Sequence, residues 1–177
     1  MAQTWKKSDS SELSHSSIHY LLAVHSLIKQ NGYARGIDIA RHLELTRGSV
    51  SITINKLKKK GYIVEDVNKF YQLTEKGSEV VNSVLSKRRI ANIFFKNVLM
   101  LPDKIAEADG CKIEHLLSKQ TVEKLLSFVG YYLSDNEETV AFREGFKDFY
   151  YQCQSHENCQ ICEMKCYFTK NNLQKQK

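Results

Sequence analysis

The 177-residue sequence has one proline and eight glycines, so it is neither a low-complexity nor a collagen-like chain. Its apolar stretches are short and interrupted by charge, and none approaches the roughly 20 residues that a membrane-spanning helix needs. The polar, Ser-rich start, residues 1–13, lacks the apolar core of a secretory signal. These absences predict a soluble, cytoplasmic protein that has no membrane partner.

The sequence also lacks the usual motifs of enzyme active sites. It contains no Gly-rich nucleotide-binding loop, no nucleophile elbow, and no pairing of a catalytic base with a nucleophile. We therefore expect no enzymatic activity and no small organic substrate.

Positive charge is concentrated in the N-terminal part of the chain. The formal net charge is +6, of which residues 1–74 carry +5 and residues 75–177 carry +1. Basic charge favours contact with phosphate through the release of counterions. The N-terminal part is therefore the candidate for contact with nucleic acid.

The order of predicted elements in this basic part is typical of a winged helix-turn-helix. Apolar residues at helical spacing predict a helix over residues 13–30, and two shorter helices are predicted over 36–43 and 48–60. Alternating residues then predict two strands, 62–67 and 70–74, joined by a hairpin. This architecture predicts double-stranded DNA as the partner.

The third helix of the motif carries short polar groups near its start and lysines near its end. Short polar side chains can approach base edges, while lysines reach phosphates; the alternative for the lysines is a solvated helix face. The candidate DNA-binding residues, including one lysine in the wing, are Arg47, Ser49, Ser51, Thr53, Lys56 and Lys69.

The remainder of the chain is predicted to be helical. A long helix over residues 75–101 is broken by Pro102, and further helices follow within 103–117, over 119–133 and over 137–151. The expected fold is mainly α, with an N-terminal winged helix-turn-helix followed by an all-helical dimerisation domain. The expected division is a DNA-binding domain (1–74), a helical dimerisation and metal-binding domain (75–152), and a Cys-rich cluster-binding loop and tail (153–177).

Three potential metal ligands lie within one helical turn of the second domain. Cys111, Glu114 and His115 have the spacing i, i+3 and i+4, which places them on one face of a helix. A thiolate, a carboxylate and an imidazole together suit Fe(II), Co, Ni or Zn. The alternative for Cys111 is a buried apolar thiol.

The segment from Ile105 to Ser118 resembles the metal-binding stretch of the diphtheria-toxin-repressor and manganese-repressor family, in which a Cys or Glu, two spacers and Glu-His precede a hydrophobic pair and Ser. Other family-like segments follow in family order at residues 33–40, 49–51, 73–77 and 94–99. The resemblance covers residues 13–133. It implies a homodimer that acts as a metal-triggered repressor, in the short form without an SH3-like domain.

The resemblance also implies a fourth ligand on the first helix, just before a tyrosine. Here His19 precedes Tyr20. A ligand at this position would tie the DNA-binding domain to the dimerisation domain, so that the ion fixes the spacing of two recognition helices. The alternative for His19 is a surface or capping histidine.

The chain departs from the family pattern at an ancillary metal site. Arg88 stands where the family has a histidine, Asn92 where it has a carboxylate, and Glu107 where it has a second histidine. These changes predict that the ancillary site is lost and that an Arg88–Glu107 ion pair replaces it.

Four of the five cysteines lie close together near the C-terminus, at Cys153, Cys159, Cys162 and Cys166. In a reducing compartment such a cluster favours metal ligation over disulfides. The spacing is closer to that of loops that hold a four-iron cluster than to the two separated Cys-x2-Cys knuckles of structural zinc. A 4Fe-4S iron–sulfur cluster is therefore expected, with zinc (and His156 as a possible ligand) or free or paired thiols as alternatives.

Together these patterns predict a DNA-binding transcriptional regulator, a repressor, that responds to iron or redox state through an iron–sulfur cluster, a divalent ion such as Fe2+, or both. The alternative is a winged-helix DNA-binding factor with a purely structural zinc site.

Overall fold

The computed structural model describes residues 13–149. They fall into two compact units, one ending at Tyr132 and one beginning at Leu133. The elements of the first unit are α1 (His15–Asn31), α2 (Gly36–His42), α3 (Arg47–Lys59), β1 (Ile63–Glu65), β2 (Tyr71–Leu73), α4 (Glu75–Ile93), a π-helical turn (Phe94–Val98), α5 (Asp103–Ile113) and α6 (Lys119–Tyr132). The second unit contains α7 (Glu137–Lys147).

Hydroxyl side chains begin four of these helices, among them α6, where Ser118 accepts a hydrogen bond from the backbone N–H of Thr121. Ser14 accepts a hydrogen bond from the backbone N–H of Ser17 at the start of α1, and Thr46 and Thr74 do the same for α3 and α4. Each cap satisfies one of the backbone donors that a helix start leaves free. At the other end of α1, Gly32 takes a left-handed conformation with φ of 82°, which a glycine adopts without steric cost.

The wing is a short antiparallel hairpin. Ile63 pairs with Leu73 and Glu65 with Tyr71, so that each strand has only three residues and is shorter than predicted. The Asp66 carboxylate shapes the tip by accepting hydrogen bonds from the backbone N–H groups of Asn68 and Phe70. In this turn Lys69, which lies between Asn68 and Phe70, has a φ of 61°.

The core of the winged helix is built around α1. Its fully buried side chains come from α1, α2, α3 and β1 and from α4: Leu21, Val24, Ile39, Val50, Ile54, Leu57, Ile63 and Val81. Each large aliphatic side chain buried in this way contributes about 1.5–3 kcal/mol. The expected order of helix, helix, turn, helix and wing is confirmed.

The long helix predicted over residues 75–101 is divided. Regular α-helix ends at Ile93, and a π-helical turn follows. A second, smaller apolar cluster forms where Val98 meets Val129 and Tyr132 of α6. The described residues after the wing, up to Phe149, form helices joined by turns, so the predicted mainly α fold is confirmed.

α5 packs closely against α4. A Cβ placed on Gly110 would collide with the amide oxygen of Asn92, so the absence of a side chain at Gly110 permits this approach. The contact sets the distance between the end of α5 and the middle of α4, where the candidate site lies.

In the second unit, Thr139 and Arg143 both donate hydrogen bonds to the backbone carbonyl of Ser134 at 2.8 Å. These bonds hold the start of α7 against the turn before it. α7 ends at Lys147, four residues before the predicted end at Tyr151. None of the helices described in residues 13–149 is long and apolar enough to cross a membrane.

Candidate metal centre

The candidate centre lies where α1, α4 and the end of α5 meet. α1 contributes His15 and His19, which lie one helical turn apart on the same face. Cys111 lies in the last turn of α5, Glu114 caps that helix, and His115 follows it directly. The sequence predicted one helical face for the last three residues; the helix in fact ends at Ile113, and His115 reaches α1 from the turn.

The structure brings together the four ligands that the sequence proposed. The ligand atoms of His19, Cys111 and Glu114 all lie within 4.8 Å of one another. The Nε2 atom of His115 is 3.0 Å from a carboxylate oxygen of Glu114. The predicted meeting of the first helix with the Cys-Glu-His segment is therefore present in the fold.

A fifth group, His15, joins this centre and was missing from the predicted set. Its Nε2 atom lies 3.0 Å from Nε2 of His19, and its ring centroid is 4.3 Å from that of His115. The ligand atoms of these three histidines also lie within 4.8 Å of one another. The i, i+4 spacing of His15 and His19 on a predicted helix was the sequence signal that could have found it.

The predicted Arg88–Glu107 ion pair is wrong. Arg88 instead forms an ion pair with the buried Glu114. Its Nε and one terminal nitrogen each donate a hydrogen bond to a different carboxylate oxygen, the second at 2.8 Å. The same terminal nitrogen lies 3.7 Å from the sulfur of Cys111. Glu107 is exposed, whereas Glu114 is fully buried and has far more to gain from a counter-charge.

Burial and neighbouring charge favour the neutral imidazoles of His19 and His115, because both lower the pKa of these side chains. Desolvation lowers the pKa of His19, and the nearby His15 and Arg88 lower it further, against the opposing effect of Glu114. Desolvation also lowers the pKa of His115, although Glu114 acts in the opposite direction. Neutral imidazole is the form that binds metal ions.

The residues present fit a transition-metal ion. Within residues 13–149, neither ring nitrogen of the half-buried His115 makes a hydrogen bond, although Nε2 lies 3.0 Å from a carboxylate oxygen of Glu114. Buried polar nitrogens are rarely left in this state, and a metal ion would satisfy one of them. A set of imidazoles with a thiol and a carboxylate nearby is the donor chemistry of late first-row ions.

Five of the six candidate DNA-binding residues are exposed. Arg47, Ser49, Ser51 and Lys56 on α3 and Lys69 at the wing tip are exposed, and Thr53 is half-buried. The Ser49 hydroxyl is 3.0 Å from that of Thr46, so Ser49 also takes part in the cap of α3. Lys58, on the same helix, forms an ion pair with Glu65 of the wing.

Two models of one protein family match the chain in succession. Residues 12–69 match the model described as "Iron dependent repressor, N-terminal DNA binding domain", and residues 74–140 match "Iron dependent repressor, metal binding and dimerisation domain". An uncharacterized HTH-type transcriptional regulator of Methanocaldococcus jannaschii is 31% identical over 118 residues, which are 66% of this chain and 94% of that protein. The chain belongs to the iron-dependent repressor family.

Other members of the iron-dependent repressor family are similar to this chain. HTH-type transcriptional regulator MntR of Bacillus subtilis is 28% identical over 118 residues, which are 66% of this chain and 81% of that protein. The crystal structure of T. acidophilum IdeR has a TM-score of 0.58 and 26% identity, with 70% of this chain and 56% of that one covered. The chain thus spans only about half of that structure's length. The resemblance to the diphtheria-toxin-repressor and manganese-repressor family is confirmed.

The four-cysteine segment lies outside both parts of this iron-dependent repressor match, which ends at residue 140. Cys153, Cys159, Cys162 and Cys166 also lie outside the described residues. The iron–sulfur cluster and its zinc alternative both stay predictions from cysteine spacing.

Proposed function

We propose that this chain is a DNA-binding transcriptional repressor of the cytoplasm, active as a homodimer and dependent on a divalent metal ion. One observation carries the proposal: His19 of α1, inside the winged helix, meets Cys111, Glu114 and His115 at the end of α5. Family membership supports it, because the matched models describe DNA-binding, metal-binding and dimerisation domains.

The metal ion, when bound, supplies a rigid bridge between the two parts of the chain. α1 packs directly under α3 through side chains such as Leu21 and Ile54. Because α1 and α3 share one apolar core, a shift of a metal ligand on α1 also shifts the recognition helix α3. A ligand that binds one arrangement of the two parts better than others shifts the population towards that arrangement.

The surface of α6 supports the proposed dimer. Leu126, Phe128 and Tyr131 are exposed, each to 45% or more of the side chain's full area. Phe128 and Tyr131 are three residues apart and so are neighbours on the helix surface, and contiguous exposed apolar groups mark interaction sites. A second copy of this chain is the occupant that the family model of residues 74–140 favours.

The proposal is tested by measuring DNA binding with and without metal. A random duplex library enriched by metal-loaded protein supplies a site, and fluorescence anisotropy then follows binding at one fixed salt concentration. We expect a strong loss of affinity when the ion is chelated and recovery when it is restored. Equal affinity in both states would support the alternative, a constitutive DNA-binding factor with a structural zinc.

We also propose that the repressor senses iron or redox state through a 4Fe-4S cluster on the four-cysteine segment. The Cys-x2-Cys-x3-Cys core from Cys159 to Cys166 supports this proposal. Anaerobic purification followed by iron, sulfide and zinc analysis tests it. A colourless protein with stoichiometric zinc and no sulfide would refute the cluster, and DNA binding by Cys159→Ser then tells whether the centre is regulatory.

A further inference from the structure

Two groups of potential ligands share His19, and they differ in whether Arg88 already binds their members. One is His19 with Cys111 and Glu114, and the other, which we call the histidine triad, is His15, His19 and His115. Because His19 belongs to both groups, the two groups are alternative sites for a single ion.

Arg88 weighs against the first group. Its guanidinium binds both oxygens of Glu114 and lies 3.7 Å from the sulfur of Cys111. A divalent ion placed there would compete with a fixed positive charge for the same buried carboxylate. Like charges at such distances repel strongly away from water, so this pocket is already neutralised from within the chain.

Among the described residues Arg88 donates no hydrogen bond to the histidine triad, although its charge helps to lower the pKa of His19 and His115. The Nε2 atoms of His15 and His19 face each other at 3.0 Å, close to the separation of about 3.3 Å that two nitrogen ligands have on a tetrahedral zinc ion. His115 completes the triad: neither of its ring nitrogens makes a hydrogen bond within residues 13–149, although Nε2 lies 3.0 Å from a carboxylate oxygen of Glu114. His15 is exposed, which leaves room for solvent in a fourth position.

We propose that the histidine triad is the metal site of this protein, binding one late first-row divalent ion, represented by Zn2+, through His15, His19 and His115, while Arg88 holds Glu114 out of the ligand set. Three imidazoles suit Zn2+, Co2+, Ni2+ or Cu2+, whereas Mn2+ prefers carboxylate and water oxygens. The claim that this ion controls DNA binding rests on the proposed function. The claim that the triad binds the ion does not rest on it.

The site is tested by metal titration of the full chain. The four tail cysteines are replaced by Ser in every sample, so that only the centre between α1 and α5 contributes. Co2+ is added without oxygen, and the visible absorption of a tetrahedral ion gives stoichiometry and affinity; competition by Zn2+ gives the zinc affinity. The variants are His15→Gln, Cys111→Ser and His19→Gln, with the exposed His42→Gln as the matched control.

We expect one ion per chain. Loss of a group that supports a ligand lowers metal affinity by about tenfold, and loss of the ligand itself lowers it further. His15→Gln and His19→Gln should therefore each lower the affinity by at least about tenfold. Cys111→Ser should change it much less than either histidine variant does, and His42→Gln should leave it unchanged. Circular dichroism checks that each variant is folded.

Two other outcomes overturn the inference in distinguishable ways. If Cys111→Ser lowers the affinity and His15→Gln does not, the ion uses the first group, and the proposed function survives. If His19→Gln has no effect, no ion bridges α1 and α5, and the proposed function falls together with the triad.

Discussion

At the scale of single residues, the charge balance of the centre depends on Arg88. Glu114 is fully buried, and the Arg88 guanidinium, 29% exposed, provides both of its charged hydrogen bonds. A buried carboxylate without a partner is costly, so removal of one member of such a pair destabilises a fold strongly. The pair raises the pKa of Arg88 above its usual value, chiefly through the hydrogen bond to Glu114.

Arg88→Ala should therefore destabilise the metal-free protein by about 1–3 kcal/mol, less than the 3–5 kcal/mol of a fully buried pair because Arg88 is partly in water. It should also free Glu114, so that added Zn2+ raises the thermal midpoint more than in the wild type. Thermal unfolding with and without Zn2+ measures both effects. Arg89→Ala, an exposed neighbour on α4, is the control, and equal behaviour of the two variants would contradict the prediction.

The sequence predicted the ligand types of the centre but not their final pairing. Spacing within one helix predicts that Cys111, Glu114 and His115 lie together. They do lie together in the fold, although the helix ends at Ile113. It does not say which carboxylate of α5 faces Arg88, because that depends on how α5 packs over Gly110. His15 was missed for a related reason: its role depends on a turn after α5 that aims His115 at α1.

At the scale of elements, the start of α4 fits tightly under the wing. Thr74 caps the helix, donates its hydroxyl hydrogen to the Gly61 carbonyl and places Gly77 against the Tyr62 backbone. A Cβ at Gly77 would collide with the Tyr62 carbonyl oxygen, and backbone atoms cannot rotate away as a side chain can.

Gly77→Ala should accordingly lower the free energy of unfolding by about 1–3 kcal/mol, the usual cost of overpacking. Urea denaturation of the metal-free protein measures it. The control is Gly48→Ala on α3, where no described atom lies within 4 Å of an added Cβ. There the stability should hold or rise by up to about 1 kcal/mol, because alanine favours helix over glycine.

The lysines of α3 should divide into two kinds in DNA binding. Lys56 is exposed, whereas Lys58 is neutralised by Glu65. Lys56→Ala should weaken binding to all sequences and reduce the slope of log affinity against log salt by about one. Lys58→Ala should leave that slope unchanged; a loss of slope in Lys58→Ala equal to that in Lys56→Ala would show that the wing does not hold Lys58 in the complex.

Element boundaries were predictable where a cap residue marks them. Thr46 and Thr74 cap α3 and α4, which begin within one residue of the predicted starts at 48 and 75. The π-helical turn after Ile93 was not predictable, because no proline or glycine interrupts the apolar pattern before Pro102. Its cause is tertiary: Phe94 and Val98 pack against the apolar side of α6.

At the scale of the whole molecule, metal binding should stabilise the contact between α1 and α5 rather than every element equally. With Zn2+ at a hundred times its dissociation constant, the stabilisation is about 2.7 kcal/mol. Hydrogen exchange of residues 15–19 and 111–115 should slow more than that of α3, which holds no ligand. Uniform slowing across the chain would mean that these segments exchange only by global unfolding.

The exposure of His15, on the first turn of α1, also sets the pace at which such a protein can respond. The buried side of the centre is closed by Glu114 and Arg88, but the His15 side is open to water. An ion can therefore leave by exchanging one exposed imidazole for solvent, without any opening of the core. For an ion held by the proposed histidine triad, the rate of metal loss would then follow ligand exchange rather than unfolding, and the occupancy of the site would follow the free metal concentration without waiting for the fold to open.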